Sequence, residues 1–267
     1  MTGVSGKVIW ITDASSGIGK GLALALAAHG ARLVLSGRNH QALLDVAADC
    51  PGAIVEAFEA TDLDALPEIV ARVAAATGGI DWLVNNAGIS QRSLGLDTDF
   101  SVYRTIMEVD FFAPLRLTQL VLPGMVARKS GRIINNASVA GKVGSPLRTG
   151  YCAAKHALVG WSDALRAEIA QYDVQVHVLT PGFVATGIAA NAITGDGSQK
   201  GAGDDPVNDG ISIHEAAQQI IAGILADTPE IPVGRVGAPE MQLLDLKRQN
   251  PEACFTLMAG MAPKVGR

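Results

Sequence analysis

The chain has 267 residues, of which 48% are hydrophobic and 18% are charged. This apolar content is enough for a large core and excludes a chain that is mainly disordered. A net charge of −5 at pH 7 argues against a general nucleic-acid binder. The three widely spaced cysteines give neither a disulfide framework nor a zinc site, so we assign no metal.

The first residues show no signal peptide, and no run of about 18 apolar residues follows anywhere in the chain. We therefore expect a soluble, cytoplasmic protein without a membrane span.

Short apolar runs alternate with longer helical patterns along the chain. The predicted strands are Lys7–Thr12, Arg32–Ser36, Ile54–Glu59, Trp82–Asn85, Arg132–Ala137, Gln175–Thr180 and Ile231–Val236. The predicted helices are Gly17–His29, His40–Asp49, Leu63–Ala76, Phe100–Arg128 with a bend at Pro114, Arg148–Gln171 and His214–Asp227. This alternation predicts a doubly wound α/β fold, with a central parallel sheet of about seven strands, in a single domain over residues 1–267.

One segment, Gly182–Ile213, interrupts the regular alternation with a polar, glycine-rich stretch. A long loop inside a compact domain is usually either functional or disordered. We expect a lid over a substrate here, and a disordered surface insertion is the alternative.

The first strand runs into a glycine-rich turn, Thr12–Gly19 (TDASSGIG), and then into a helix. Such a turn lets backbone N–H groups and a helix N-terminus approach a pyrophosphate. The position of the turn after the first strand favours a dinucleotide site over an ordinary glycine turn.

The second strand ends in Ser36-Gly37-Arg38-Asn39, without the acid that commonly binds the adenosine ribose. Arg38 instead suits a 2′-phosphate, so NADP(H) is expected to be preferred and NAD(H) remains possible. The alternative is an ordinary surface arginine.

Tyr151 has a lysine four residues later, Lys155, so a helix would place both on one face. A nearby ammonium lowers the pKa of a phenol, which suits proton transfer to or from a substrate oxygen. Ser138 follows the fifth strand, at the edge of the sheet where ligands bind, and its hydroxyl could hold that oxygen.

Taken together, these motifs resemble the classical short-chain dehydrogenases/reductases, and most of all the branch of hydroxysteroid-dehydrogenase-like enzymes and carbonyl reductases. The resemblance runs from Lys7 to about Val236. Its motifs are Gly17-Ile18-Gly19, Asn85-Asn86-Ala87-Gly88, Ser138, Tyr151 with Lys155, and Pro181-Gly182 followed by Val184 and Thr186.

The resemblance implies that Tyr151 is the general acid/base, that Ser138 orients the substrate oxygen and that Lys155 binds the nicotinamide ribose. The implied cofactor-binding residues are Thr12, Asp13, Ser15, Ser16, Gly17, Ile18, Gly19, Arg38, Glu59, Asn86, Ala87, Gly88, Tyr151, Lys155, Pro181, Gly182, Val184 and Thr186. Asn86 as a turn residue and Thr186 as a helix cap are the structural alternatives.

Three residues depart from the family's pattern. Asp13 replaces a glycine and puts a carboxylate near the phosphates, where its charge is unfavourable. Glu59 replaces an aspartate that flanks adenine. Asp110 replaces the family's fourth catalytic residue, an asparagine whose carbonyl helps to hold a relay water, and it would place a charge near Lys155.

These observations predict an NADP(H)-dependent oxidoreductase that interconverts a ketone or aldehyde and a secondary or primary alcohol, and its substrate is expected to be a lipophilic small molecule. A non-catalytic dinucleotide-binding or sensor protein of the same fold, disabled by Asp13 and Asp110, is the alternative. A purely structural module would leave the group of Ser138, Tyr151 and Lys155, called the triad below, unexplained. The helices Phe100–Arg128 and Arg148–Gln171 look apolar nearly all round, which predicts a homodimer or homotetramer.

The substrate cleft is expected to be apolar. The residues predicted to line it are Leu94, Leu96, Val139, Val143, Pro146, Leu147, Phe183, Val184, Ile188 and Ile193. Alternatively, cations near the cleft would hold an anionic tail of the substrate, and the candidates are Arg92, Lys142 and Arg148.

Overall fold

The first strand, β1 (Val8–Thr12), is buried along its whole length, as its apolar sequence requires. The computed structural model, which describes residues 3–263, places β1 inside a sheet of seven parallel strands. The other strands are β2 (Arg32–Gly37), β3 (Ile54–Ala57), β4 (Trp82–Asn85), β5 (Gly131–Asn136), β6 (Val174–Pro181) and β7 (Glu230–Val233). Their order, β3-β2-β1-β4-β5-β6-β7, reverses between β1 and β4, the point where such sheets bind ligands.

The described residues form nine α-helices. These are α1 (Gly17–Ala28), α2 (His40–Ala47), α3 (Leu66–Thr77), α4 (Phe100–Met107), α5 (Ala113–Arg128), α6 (Thr149–Ile169), α7 (Ile213–Leu225), α8 (Pro239–Gln249) and α9 (Pro251–Met261). Helices α1 and α7 bury aliphatic side chains such as Leu22 and Ile220 in one hydrophobic core, and α3, α5 and α6 bury Ile69, Leu117 and Leu165 in a second. The predicted doubly wound α/β fold is confirmed.

The predicted stretch Phe100–Arg128 is helical throughout, but it is not one regular α-helix, because a π-helical turn, Glu108–Phe112, separates α4 from α5. Proline has no N–H group to donate to the carbonyl four residues before it. Pro114 therefore leaves the carbonyl of Asp110 without its α-helical donor, and the Ala113 N–H bonds Glu108 O, five residues back. The irregularity lies just before Pro114 rather than at it, and it sets the position of Asp110.

Helices α8 and α9 were not predicted, and β7 ends three residues earlier than expected. Both helices begin with proline followed by glutamate, Pro239-Glu240 and Pro251-Glu252, which is a helix-start signal visible in the sequence. The two helices matter for function because they contribute to the wall of the main cavity.

None of the helices in the described part of the chain combines the length and the apolar character that crossing a bilayer needs.

Candidate functional site

The turn between β1 and α1 presents free backbone donors at the edge of the sheet. Asp13 and Gly17 have φ angles of 49° and 52°, the left-handed region in which glycine is strain-free and aspartate is tolerated. Ser16 is the N-cap of α1, yet among the described residues its side chain makes no capping hydrogen bond. The first N–H groups of α1 therefore remain available for an anion, as a pyrophosphate requires.

Gly19 is required for packing as well as for the turn. A Cβ atom at this position would collide with the backbone oxygen of Asp13 and would lie 2.6 Å from Asn86 Nδ2. No larger residue fits without moving the turn.

Hydrogen bonds hold the ends of β1, β4 and β5 together beneath the turn. Thr12 Oγ1 accepts from the N–H groups of Asn86 and Ala87 at 2.9 and 3.0 Å. The Asn86 amide donates to Thr12 O at 3.0 Å and accepts from Asn136 Nδ2 at 2.8 Å. The side chains of Thr12 and Asn86 thus fix the turn in place, and Asn86 also lines the groove.

A groove runs along this edge of the sheet and collects most of the residues predicted to bind a cofactor. Its two sections are lined by predicted residues from five loops and from α6: Thr12, Asp13, Ser16, Gly17, Ile18, Arg38, Glu59, Asn86, Ala87, Gly88, Tyr151, Lys155 and Thr186. Pro181, Gly182 and Val184 instead line the adjoining main cavity. Ser15 lines neither the groove nor the main cavity. Its hydroxyl lies near Gly37, where a Cβ atom added to the glycine would lie 3.8 Å from Ser15 Oγ.

Arg38, just after β2, lies near two acids, Glu59 and Asp13. Its Nε lies 3.9 Å from Glu59 Oε2, and its charge lowers the pKa of Asp13, although burial raises that pKa by more. The Arg38 side chain is 76% exposed, so it is open to a ligand. Glu59 also accepts hydrogen bonds from the N–H and hydroxyl of Thr61, which fix its position at the loop after β3.

Ser138, Tyr151 and Lys155 meet where the groove opens into the main cavity. Ser138 follows β5, accepts from the Ala140 N–H at 3.0 Å and donates to Pro181 O at 3.4 Å. Tyr151 and Lys155 lie one turn apart on α6, with Lys155 Nζ 5.7 Å from the centre of the phenol ring. Tyr151 lines both spaces, with Ser138 on the side of the cavity and Lys155 on the side of the groove.

Lys155 is buried and held from two sides. Its Nζ donates to Asn136 O at 3.0 Å and lies 3.9 Å from Asp110 Oδ2. Asp110 Oδ1 accepts from the Ile89 N–H at 2.8 Å, while Oδ2 has no hydrogen-bond partner among the described residues. The predicted charge near Lys155 is present.

Burial raises the pKa of Asp110 to about 6, against the lowering effects of Lys155 and of the Ile89 N–H. The pKa of Tyr151 is also raised, because burial outweighs the lowering by Lys155, and Asp110 raises it further. The Ser138 hydroxyl and Arg148 lower it by less. The expected influence of Lys155 exists, but the net direction is opposite to the prediction.

The main cavity, called the substrate cleft below, has a volume of about 310 Å³ and reaches Ser138 and Tyr151 at one end. The predicted apolar residues that line it are Val139, Val143, Pro146, Leu147, Phe183, Val184 and Ile188. The other three predictions were wrong: Ile193 forms bridges with Gln91 and Gln199, Leu96 is 79% exposed, and Leu94 is not part of the wall.

The long loop, residues 182–213, lies along the cleft and is attached to the rest of the protein. Val184 pairs with Ile211 at its base, and Asp205 in its polar half forms a buried ion pair with Arg92 at 2.9 Å. Pro206 and Val207 reach the cleft. The polar half is thus more than a solvated surface, contrary to the expected division into an apolar and a wet half.

Sequence reasoning missed several contributors to the site. Asn136 anchors Lys155, and Gln91 Oε1 caps the start of α6 by accepting from the Gly150 N–H at 2.7 Å. Glu240, Leu243, Met258 and Met261 bring α8 and α9 to the cleft. The proline-glutamate pairs would have revealed the helices, whereas nothing local marks Gln91 as a cap.

A family model described as short chain dehydrogenase matches residues 7–196 of the chain. Among curated proteins, dehydrogenase/reductase SDR family member 7B of Bos taurus is 36% identical over 98% of this chain and 83% of its own length. A dehydrogenase/reductase SDR family protein 7-like of Drosophila melanogaster is 37% identical over 97% of this chain and 82% of its own length.

Solved structures with a similar fold belong to the same family. A short-chain dehydrogenase from Streptomyces avermitilis superimposes with a TM-score of 0.81 at 27% identity, covering 96% of this chain and 98% of its own. A short chain dehydrogenase from Burkholderia cenocepacia, solved in complex with NADP, has a TM-score of 0.79 at 26% identity, with the same coverage.

Proposed function

Because the chain belongs to the short-chain dehydrogenase/reductase family, and is thus an oxidoreductase, we propose that it interconverts a carbonyl compound and an alcohol with NADP(H). The proposed substrate is a lipophilic small molecule.

The observation that carries this proposal is the meeting of Ser138, Tyr151 and Lys155 at the junction of groove and cleft. In the reducing direction, the bound cofactor supplies hydride to the carbonyl carbon. The Tyr151 phenol gives its proton to the carbonyl oxygen, Ser138 orients that oxygen, and Lys155 supports the phenol electrostatically. In the reverse direction Tyr151 accepts the proton.

The groove fits a dinucleotide. The open N-terminus of α1 suits the pyrophosphate. Asn86, Ala87, Gly88 and Lys155 would hold the remaining parts of the dinucleotide along the groove. The absence of an acid after β2 and the exposed guanidinium of Arg38 favour a 2′-phosphate, and hence NADP(H) over NAD(H). The NADP complex of the Burkholderia cenocepacia structure supports this choice by analogy.

The apolar wall of the cleft supports a lipophilic substrate. Aliphatic and thioether side chains make up most of the wall around Ser138 and Tyr151, and a few other polar groups, Arg148 among them, complete it. An apolar wall with a few placed polar groups is typical of small-molecule sites. The loop of residues 182–213 would act as the lid, since Phe183, Ile188 and Val207 all reach the cleft from it.

Three free thiols, Cys50, Cys152 and Cys254, are buried in the structure. We propose the cytoplasm as the compartment, because free thiols persist where the surroundings are reducing.

A sensor without catalysis is the second candidate, and Asp13 and Asp110 are the observations that favour it. Asp13 brings negative charge to the phosphate groove and Asp110 raises the pKa of Tyr151. Such a protein would have no use for the assembled triad.

A screen of carbonyls and alcohols with NADPH, NADH and their oxidised forms, followed by nicotinamide absorbance, tests the proposal. Tyr151→Phe should reduce turnover at least about 100-fold while NADPH affinity is retained. Tyr172→Phe, at an exposed tyrosine beyond α6, is the matched control. Cofactor binding without turnover of any compound would favour the sensor.

A further inference from the structure

Three cations lie near the substrate cleft, and the structure separates them by their partners. Lys142 Nζ forms an ion pair with Glu230 Oε2 at 2.9 Å and does not line the cleft. Arg92 donates from Nε and Nη2 to Asp205 Oδ2 at 3.1 and 2.9 Å. The Arg92 and Asp205 side chains are only 10% and 6% exposed. Both Lys142 and Arg92 are therefore neutralised within the protein.

Arg148 differs from both. It lies at the N-cap of α6, three residues before Tyr151, and lines the cleft. Within residues 3–263 its guanidinium makes no hydrogen bond and no carboxylate oxygen comes within 4.0 Å. Burial lowers its pKa, and the neighbouring charge of Arg92 lowers it further. Arginine nevertheless remains protonated in proteins, so an unpaired positive charge faces the cavity.

An unpaired, partly buried guanidinium is unfavourable unless a ligand supplies its counter-charge. Its planar fork of donors matches the oxygens of a carboxylate or a phosphate. Asp205 acts on Arg148 only at longer range, since it is engaged by Arg92. Glu240 does line the cleft; its Oε1 accepts from the Phe183 N–H at 3.5 Å, and its charge would repel an anion placed near it.

We propose that the substrate carries an anionic group, a carboxylate or a phosphate, which Arg148 binds while the carbonyl group lies at Ser138 and Tyr151. This inference rests on the proposed function and deepens it. Arg148 and Tyr151 lie three residues apart at the start of α6 and both line the cleft, so we place the anion a few bonds from the carbonyl. The apolar remainder of the substrate extends along Val143, Leu243 and Met258.

Binding of unreactive probes tests the anion site without any need for turnover. Octanoate, octyl phosphate and octanamide share one apolar chain and differ in charge, and calorimetric titration gives their affinities. For the wild type we expect at least one anion to bind about tenfold or more tightly than octanamide, as a hydrogen-bonded charge supplies. The tighter of the two anions identifies the group as carboxylate or phosphate.

Arg148→Leu should abolish this preference, and Arg148→Lys should retain a reduced preference, because the charge stays while the planar fork is lost. Lys142→Leu removes a cation that is already paired outside the cleft, so it should keep the full preference. Thermal melting checks the folding of each variant. Equal binding of octanamide and both anions by the wild type, or an unchanged preference in Arg148→Leu and Arg148→Lys, would overturn the proposal.

Turnover separates this inference from the proposed function. A medium-chain γ-keto acid and its methyl ester are compared as substrates with NADPH, and the acid should have the higher kcat/KM. If both compounds are reduced equally and Arg148→Leu changes neither rate, the anion site is rejected while the reductase stands. If no carbonyl is reduced, the proposed function fails and the calorimetric preference still decides the anion site.

Discussion

Lys155 Nζ and Asp110 Oδ2 lie 3.9 Å apart inside the protein, with side-chain exposures of 4% and 0%. The π-helical turn before Pro114 positions the acid, and the same acid is the second-largest influence that raises the pKa of Tyr151. Tyr151 is thus coupled electrostatically to a charge that an asparagine at position 110 would not carry.

Asp110→Asn should lower the pKa of Tyr151, because it removes the negative charge that opposes phenolate formation. The rising limb of the pH profile for alcohol oxidation should then move to lower pH. The effect is expected above about pH 6, where Asp110 is ionised in the wild type. Asp163→Asn, at an exposed acid on α6, is the control and should leave the profile in place. A shift to higher pH would contradict the coupling.

Arg38→Gln should weaken NADPH binding by about tenfold or more and leave NADH binding nearly unchanged, since a charged hydrogen bond to the 2′-phosphate is lost. Fluorescence titration of both reduced cofactors measures the two affinities. Arg235→Gln removes an exposed arginine after β7 and serves as the control. A wild type that binds NADH as tightly as NADPH would show that Arg38 does not select the cofactor.

Asp13 should make NADPH binding pH-dependent. Burial raises the pKa of its carboxyl group, so protonation begins at higher pH than for an ordinary aspartate. As the pH falls through this pKa, repulsion of the 2′-phosphate is lost and NADPH affinity should rise. Asp13→Asn keeps the shape of the side chain and should bind NADPH more tightly with a flatter pH dependence.

The phosphate titrates as well, and comparison with Asp13→Asn cancels that contribution. Asp13→Gly should also tighten binding, because it removes the charge and suits the φ angle of 49°. If the wild type binds NADH more tightly than either variant does, the Asp13 carboxylate accepts hydrogen bonds from the adenosine ribose instead.

The ion pair between Asp205 and Arg92 should hold the loop of residues 182–213 against the cleft. Lys200 adds a weaker contact, with its Nζ 3.8 Å from Asp205. Asp205→Asn leaves the buried guanidinium of Arg92 without its counter-charge. Amide exchange in residues 194–209 should accelerate at least about tenfold, which corresponds to roughly 1.4 kcal/mol of local stability.

The adjacent Asp204 is exposed, so Asp204→Asn is a matched control with the same change of charge. If the loop is a lid, Asp205→Asn should also raise KM for the best substrate. Equal exchange in the two variants would show that the ion pair does not hold the loop.

Local sequence patterns predicted the parts of the site that depend on spacing along one element. Tyr151 and Lys155 share a helix face, and Ser138 follows a strand whose apolar run is plain in the sequence. The partner of each charge could not be predicted in this way. Arg92 and Asp205 are 113 residues apart, so only the folded chain shows that Arg148, of the three cations considered, is left unpaired.

Element boundaries were less predictable where two local rules conflict. The sequence from Phe100 to Arg128 favours a helix throughout, yet the missing N–H of Pro114 favours a π turn over a simple bend. The resemblance to the family ended near Val236, and so α8 and α9, which complete the cleft, lay outside it.

We expect the protein to assemble as a homodimer or homotetramer. The outer faces of α5 and α6 are less apolar than expected, since exposed positions of α6 include His156 and Asp163. Other exposed positions of α6 are small, such as Gly160 and Ala164, and Phe112 in the π turn is 40% exposed. Small residues allow two helices to approach closely, and an exposed aromatic ring gains from being covered.

Light scattering at micromolar concentration should therefore show a dimer or tetramer. Ala164→Arg introduces a large charged side chain on the outer face of α6 and should shift the protein toward the monomer. Ala75→Arg makes the same change on the exposed face of α3, on a helix outside the proposed interface, and should leave the assembly unchanged. A monomeric wild type would reject the assembly. Equal molar masses for Ala164→Arg and Ala75→Arg would show that the interface does not include this face of α6.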